Sequence, residues 1–473
     1  MYRMIRCVLA GATASLLCLV TVGAAAATTA GGIKGDPQPE LKPFQIGTAI
    51  SGGSVAIEPD GTLVTVFDIK SGTTGKTEVC VLNRGARTCS KSVALSPLSG
   101  DDLFGTPQVF APSAGHIVVL QWTCCDTNPS GGDLLYTSAD GGATFGPPVR
   151  VGSLSVAAAA LIGSDIIFSE GDTNSGATVE SIPVTATAPP ASTAIATAKP
   201  AFDIGDGTYK GGALVASDDL GTDYTSYVAY APAGKDFNSS ASYHNVGMFP
   251  HEQLVAISGG ALLTIQTTGK QALELRLFNG TAFGSAHVVP NSGGGGPGWF
   301  TINQDPSGKV HVFSEDSRSA KIYHLYEAST STGTTWSKPQ DLGNAIQDNG
   351  FAAALDSSGT GLVLGTDPAW MYSVLSSQSV TLTLSPATIK TGQTSTASGK
   401  ATPSAAGRKV ELQIEKSGLW STVATTTEGS GGSFTFKIKG TTTGTFSYRA
   451  ETSDKPGYLQ FGYSSAKPLK VTG

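Results

Sequence analysis

The chain is poor in charge, in methionine and in helical periodicity. Of its 473 residues only 14% are Asp, Glu, Lys or Arg, and methionine occurs 4 times. Outside the N-terminus no long stretch repeats apolar residues at i, i+3, i+4 and i+7, which argues against an α-helical architecture. After residue 27 no apolar run reaches the roughly 18 residues a membrane-spanning helix needs, so no membrane insertion is expected. The 6 histidines show no metal-ligand spacing: His244 and His251 share a loop, and His116, His287, His311 and His324 are scattered. That pattern does not fit a zinc site. There is no serine nucleophile elbow, and no helix follows Gly293–Gly296 to hold a phosphate. A formal charge of −6 argues against nucleic acid as a partner.

What is abundant is glycine, at 60 residues, together with serine and threonine. This is the composition of many short strands joined by turns. Residues 1–27 read as a signal peptide, with Arg3 and Arg6 before an apolar segment from Val8 to Val22 and a small-residue cleavage site at Ala25-Ala26-Ala27. A membrane anchor is the alternative, but the segment is short and small residues follow it. Cleavage leaves 28 basic against 36 acidic residues, a charge of −8. The expected product is an exported monomer, with residues 28–39 as a linker.

Four cysteines remain: Cys80, Cys89, Cys124 and Cys125. An even count in an exported chain suggests disulfides. Cys80 and Cys89 flank a hairpin through Asn83-Arg84-Gly85 and could face each other across two strands. Cys124 and Cys125 would then form a vicinal bond, or both remain free thiols.

From Ser51 to about Ser376 a unit of roughly 48 residues recurs, opening as apolar strand, turn, apolar strand. It is read at Ser54–Phe67, Gln108–Trp122, Ala157–Glu170, Ala213–Tyr230, Gln253–Gln266, Phe300–Glu315 and Ala352–Thr366. The fixed period predicts an all-β, seven-bladed β-propeller over residues 40–376. Six blades is the alternative, if the Ala/Thr/Pro-rich run Pro183–Pro200 marks an insertion in the third unit. The seventh unit lacks its last strand, and Pro43-Phe44-Gln45-Ile46-Gly47 is expected to supply it and close the ring. Residues 377–473 change character. Seven alternating strands, among them Lys409–Lys416, Trp420–Thr426 and Gly444–Thr452, predict a β-sandwich.

Two turns carry a family resemblance. Ser138-Ala139-Asp140-Gly141-Gly142-Ala143-Thr144-Phe145 has the spacing Ser-x-Asp-x-Gly-x-Thr-aromatic. Ser329-Thr330-Ser331-Thr332-Gly333-Thr334-Thr335-Trp336 keeps that spacing with Ser331 in place of the acid. Both resemble the Asp-box of sialidase-like β-propellers. The resemblance implies a structural hairpin staple away from the ligand face. It does not extend to sialidase chemistry, which needs three arginines, a Tyr–Glu pair and an Asp acid/base. The propeller region offers only Arg84, Arg87, Arg150, Arg276 and Arg318, and of these only Arg318 falls on the expected ligand face. The C-terminal region resembles the Ig-like modules of secreted bacterial proteins, which act as spacers or adhesive units.

In a propeller the ligand face is built by loops after the second strands and before the first. On this reading it holds Trp122, Trp299, Trp370, Tyr243, His244 and Arg318, an aromatic and polar set suited to a sugar. The expected function is non-catalytic binding or adhesion, recognising a glycan or an extracellular protein. The alternative is a glycoside hydrolase or lyase pairing Glu170 or Asp172 with Glu315 or Asp316 across the axis. Solvated loop acids would account for the same four residues. Asp126, Asn128 and Ser130 match the start of a calcium loop, with Asp133 as a partial substitute for its missing closing Glu. An Asx-type turn explains the same residues, and no cofactor is otherwise expected.

Overall fold

The structure is a computed structural model. It describes residues 43–47, 49–71, 74–98, 102–103, 106–124, 132–151, 156–172, 176–186, 196–198, 201–204, 213–219, 225–231, 242–248, 252–257, 260–266, 273–278, 284–290, 300–316, 323–345, 351–365, 369–455 and 457–473. The expected signal peptide, the linker and the start of the propeller range lie outside these residues. Among the described residues no helix is long and apolar enough to cross a membrane.

Among the described residues the strands between Phe44 and Val374 form seven antiparallel sheets, six of them with their strands in chain order. Sheet 1 comprises Ala49–Ile57, Leu63–Ser71, Thr74–Leu82 and Lys91–Leu95. Sheet 2 comprises Asp102–Leu103 and Gln108–Ser113, which both pair with His116–Cys124, then Gly132–Ser138 and Val149–Val151. Sheet 3 comprises Val156–Ile162, Asp165–Asp172, Gly176–Pro183 and Ala196–Ala198. The third unit is thus a complete four-stranded sheet rather than an insertion. Sheet 4 is Ala201–Ile204, Ala213–Asp219, Thr225–Ala231 and Ser242–Met248, and sheet 5 is Glu252–Ile257, Gly260–Gln266, Leu273–Phe278 and His287–Val288. Sheet 6 is Phe300–Gln304, Val310–Asp316, Tyr323–Thr330 and Gln340–Ala345. Sheet 7 draws Phe351–Leu355, Gly361–Gly365 and Ala369–Val374 from one end of the chain and Phe44–Gly47 from the other.

The first strand of each sheet contacts the first strand of the next, and the first strand of sheet 1 contacts that of sheet 7. The sheets therefore stand in a closed ring with their first strands innermost. This is a β-propeller. Its core lies between neighbouring sheets. Val64, Val66, Val79 and Val81 of sheet 1 pack with Val109, Ile117, Val119 and Leu134 of sheet 2. Phe313, Leu325 and Leu342 of sheet 6 pack with Ala353, Val363, Tyr372 and Val374 of sheet 7. Both faces of sheets 1, 2, 6 and 7 are buried in this way, which explains why their second strands read as continuous apolar runs.

Antiparallel order places the first-to-second and third-to-fourth connections at one end of every sheet, here the turn end. The second-to-third connections and the passages between sheets lie at the other, the loop end. In sheet 2 the two turns meet, with the Gly141 N–H donating to the Gly115 carbonyl at 2.9 Å. The turns are built from side chains that replace backbone partners. Asp305 Oδ1 accepts from the N–H groups of Ser307 and Lys309, and Asp356 Oδ1 from those of Ser358 and Thr360. Gly308 and Gly359 follow with φ of 87° and 73°, a region costly for residues with a Cβ.

The Ser138–Thr144 turn is held by Asp140. Its Oδ1 accepts from Ser138 Oγ and from the N–H groups of Ala143 and Thr144, and its Oδ2 accepts from Thr144 Oγ1 at 2.7 Å. The Thr144, Ser138 and Ala143 donors hold the Asp140 carboxyl well below the ordinary Asp range. The second turn corrects the sequence reading. Thr330 Oγ1 accepts from the N–H of Gly333, and Thr332 Oγ1 from the N–H of Thr335, so Thr332 and not Ser331 stands in for the acid. Ser329 instead bonds Ser337, at 3.0 Å between hydroxyls. Spacing alone could not reveal this one-residue shift, because hydroxyl residues occupy every candidate position. The Cys80–Cys89 disulfide forms as expected. Cys125 and the side chain of Cys124 lie outside the described residues.

Residues 379–472 form two packed sheets. One is Ser379–Ser385, Thr394–Thr402 and Ser433–Lys439. The other is Thr388–Lys390, Lys467–Thr472, Gly444–Thr452, Lys409–Lys416 and Leu419–Thr427, with Gly462–Tyr463 beside Gly444–Thr452. Leu382, Phe434 and Phe436 of the first meet Leu412, Ala450 and Leu469 of the second in one core. This sandwich adjoins the turn end. Arg84, in a sheet 1 turn, donates from Nε to the Gly457 carbonyl at 2.9 Å and lies 4.1 Å over the Tyr458 ring. It also pairs with Asp356 at 2.5 Å and donates to Thr360 Oγ1.

Candidate functional site

The loop end is where the sequence places a ligand, and the named side chains Glu315 and Trp370 meet there at one junction. Glu315 is the penultimate residue of Val310–Asp316, and Trp370 is the second residue of Ala369–Val374. Successive side chains of a strand alternate between faces, so Glu315 shares a face with Phe313. That face packs on sheet 7, where Phe351 and Trp370 border the same cluster. Glu315 and Trp370 therefore stand at the loop-end margin of the junction between sheets 6 and 7.

Glu315 is only 9% exposed, and its Oε1 has no hydrogen-bond partner. Burial pushes its carboxyl up to about 7. The cause is desolvation alone, since no neighbouring charge or donor acts on it. The indole Nε1 of the half-buried Trp370 also has no acceptor. An acid and a donor left unmatched beside aromatic rings can receive the hydroxyls or amides of a ligand. An acid near pH 7 can also give up a proton.

Sheet 3 repeats the local pattern. Phe168-Ser169-Glu170 lies opposite Glu180, with Phe168 registered to Glu180, as Phe313-Ser314-Glu315 lies opposite Glu327. Glu170 and Glu315 thus hold equivalent backbone positions in sheets three apart in the ring. This recurrence is visible in the sequence once the two units are aligned. Asp172 and Asp316 end their strands. The side chains of Glu170, Asp172 and Asp316 lie outside the described residues, as do Trp299 and Arg318.

Trp122 sits inside His116–Cys124, half-buried and registered to Asp133. Beside it lies a polar link that the sequence reading missed. Thr77 Oγ1 is 2.8 Å from Asp68 Oδ1 and 2.7 Å from Gln121 Oε1, joining sheets 1 and 2 near the loop end. One hydroxyl proton serves one of these acceptors at a time. The fully buried Gln121 could not be told from a surface glutamine by spacing.

Tyr243 and His244 do not belong to the loop end. They lie in Ser242–Met248, the fourth and outermost strand of sheet 4, registered to Ala229 and Val228. The sequence reading took Ala213–Tyr230 as the first and second strands of its unit. In the structure Ala201–Ile204 is the first strand, and the pair read at Ala213–Tyr230 is the second and third. Only four residues long and followed by Gly205-Asp206-Gly207, that strand reads as loop, which shifts the unit by one strand. The connection before Tyr243 therefore belongs to the turn end.

Of the calcium candidates, Asp126, Asn128 and Ser130 lie outside the described residues. Asp133 is fully buried in Gly132–Ser138, registered between Trp122 and Val151, so it belongs to the sheet rather than the loop. Among the described residues no group of three or more His, Cys, Asp or Glu could hold a metal ion.

No family model matches the chain, and no curated protein matches it by sequence. Among solved structures, a prolyl endopeptidase is 9% identical over 76% of this chain and 56% of its own, with a TM-score of 0.35. A puromycin hydrolase is 13% identical over 77% of this chain and 52% of its own, with a TM-score of 0.40. A neuraminidase-like protein from A/bat/Guatemala is 9% identical over 71% of this chain and 91% of its own, with a TM-score of 0.34. The chain thus spans just over half the length of the first two. At these identities and TM-scores the likeness carries no argument about what this chain does.

The turn end of sheet 6 carries the opposite electrostatics. His311, 2% exposed, lies 2.7 Å from Glu327 Oε1 through Nδ1 and 3.2 Å from Asp305 Oδ2 through Nε2. Burial works against its charge, but hydrogen bonds to Asp305 and Glu327 outweigh it and raise its pKa. Asp305 is desolvated too, yet His311, Ser307 and Lys309 hold it below the usual Asp value. Here each ionisable group is matched.

Proposed function

We propose that the protein is an exported binding protein whose propeller offers its loop end to a glycan or an extracellular protein. The observation that carries this reading is Glu315, a buried carboxyl with an unpartnered Oε1, at the loop-end margin of the junction that Trp370 borders. Burying an unpaired carboxyl costs stability, and a fold retains such a cost most readily where a ligand completes the site. The missing arginine triad weighs against sialidase chemistry, and the appended sandwich suits a surface or secreted protein.

The test is binding of the mature chain, residues 28–473, to a broad glycan array and to extracellular protein fractions, with and without chelator. Selective capture that Trp370→Ala or Glu315→Gln weakens at least tenfold supports the assignment. Capture that neither substitution changes would remove the loop end of sheets 6 and 7 from consideration. Loss of binding on chelation would point to the Asp126 loop.

A second reading is favoured by one specific observation, the Glu315 carboxyl near 7. A protonated carboxyl at neutral pH is what a glycosidase needs as its general acid, and Glu170 stands at the equivalent position across the ring. Under this reading Glu315→Gln abolishes turnover of a polysaccharide while leaving binding intact. An absence of new reducing ends across a panel of polysaccharides would set it aside.

A further inference from the structure

The junction between the propeller and the sandwich does more than link them in sequence. Among the described residues, sheet 7 is the place where the ring depends on pairing between distant parts of the chain, since Phe44–Gly47 must find Ala369–Val374. That strand is four residues long and its register shifts between Gln45 and Gly47. Sheet 7 meets sheet 1 at the next junction, so this is the seam of the ring.

Arg84 lies across that seam. It belongs to sheet 1, between Leu82 and Lys91, and its side chain is only 9% exposed. From there it reaches Asp356 and Thr360 in the turn of sheet 7. The same guanidinium is capped from the sandwich by the Gly457 carbonyl at 2.9 Å and by the Tyr458 ring at 4.1 Å. Lys455 lies 4.4 Å over the same ring. The approach leaves no slack. A Cβ on Gly457 would sit 2.6 Å from the Gly85 nitrogen, and its φ of 73° already favours glycine. The strand leaving sheet 7 is held by the same segment. The Ser376 N–H donates to the Tyr458 carbonyl at 3.0 Å, and the Gln460 N–H to the Ser376 carbonyl at 3.1 Å. The Ser376 hydroxyl bonds the Ser358 carbonyl at 3.3 Å.

We propose that the sandwich is an intramolecular latch: its segment 453–460 binds the seam of the propeller and keeps sheets 1 and 7 closed on each other. The reasoning rests on where the contacts fall. A tether needs one exit point, whereas this segment touches the sheet 1 side of the seam and the strand that leaves sheet 7, and it is joined to the sheet 7 turn through Arg84 and Ser376. Arg84, carried by sheet 1, has partners on both sheet 7 and the sandwich at once, so removing the partners on one loosens its hold on the other. The latch also fixes the sandwich at the turn end, away from the loop end. This inference does not depend on which ligand the loop end takes.

The test is hydrogen exchange of the full chain, comparing wild type with Arg84→Met and Tyr458→Ala. If the latch acts as proposed, both substitutions speed exchange by about tenfold or more in Phe44–Gly47 and Ala369–Val374, as well as in 453–460, while sheet 3 is unchanged. Tyr458→Ala keeps the Arg84–Asp356 pair, so it isolates the contribution of the sandwich. Faster exchange confined to 453–460 in both variants would overturn the proposal and leave the sandwich as a passively docked unit. Faster exchange at the seam in Arg84→Met alone would overturn it as well, because the ion pair would then act without the sandwich.

Discussion

The two ends of sheet 6 bury acids in opposite ways. At the turn end Asp305 and Glu327 share His311, and backbone N–H groups complete Asp305. At the loop end, on the same face of the same strand as His311, Glu315 is also buried and its Oε1 has no partner. Burial is therefore not what separates them. The first arrangement has its charges balanced and serves the fold. The second raises the energy of the ionised acid and leaves an oxygen available, as a binding or proton-transfer group requires.

Substitutions should widen or erase this contrast. His311→Leu strips the cation from between two buried carboxylates and is expected to cost about 3–5 kcal/mol in denaturant unfolding. The pH profile should carry the same signature. His311 has a raised folded pKa, so its contribution is complete below the ordinary His value and is lost as pH climbs through the raised one. Asp305 is depressed, so its contribution holds above the ordinary Asp value and is lost on acidification. A flat profile would mean that the triad is not the dominant charge cluster of the turn end.

Glu315→Gln should do the reverse. Wild type is expected to lose stability as pH rises from the ordinary Glu value of 4.5 through about 7, because over that window the carboxyl ionises in the unfolded chain while the fold holds it protonated. The amide does not ionise. Above pH 7 the variant should be the more stable protein, by something on the order of 2 kcal/mol. Identical pH profiles for the two proteins would show that Glu315 is hydrated or paired in solution.

Arg84→Met is expected to cost about 2 kcal/mol near neutral pH, less than His311 because Asp356 keeps some access to water. Asp356 has a lowered folded pKa, so this cost should shrink as pH falls through it. Thermal unfolding at two pH values checks both statements. Asp140→Asn should have the smallest effect. It removes the charge but leaves an oxygen that can accept from the Ala143 and Thr144 N–H groups in a turn exposed to water. A large drop in melting temperature would mean that this turn contributes to the core rather than to the hairpin alone.

Much of the architecture was legible in the sequence, since a repeat of apolar strand, turn and apolar strand leaves few alternatives. The first hairpins at Ser54–Phe67, Phe300–Glu315 and Ala352–Thr366 all form, and Phe44–Gly47 closes sheet 7. Legibility failed where a strand was short or its residues were ambiguous. Ala201–Ile204 passed for loop and carried Tyr243 and His244 to the wrong end of sheet 4. A run of Ser and Thr hid the register of the second hairpin staple. At the loop end Glu315 could be nominated from its place in the repeat, but not distinguished from a solvated acid. Arg84 read as an outer-hairpin residue and nothing more, because its partners Asp356 and Gly457 lie hundreds of positions away in the chain.

The sequence by itself determined the class of fold and the period of the sheets, because strand alternation and turn chemistry act over a few residues. Only the tertiary structure decided which charges are matched. Whether a carboxyl is an ion-pair partner, a turn cap or an unpaired acid depends on groups brought to it by neighbouring sheets and by the sandwich. Desolvation and Coulombic pairing act through space, and no local pattern encodes them.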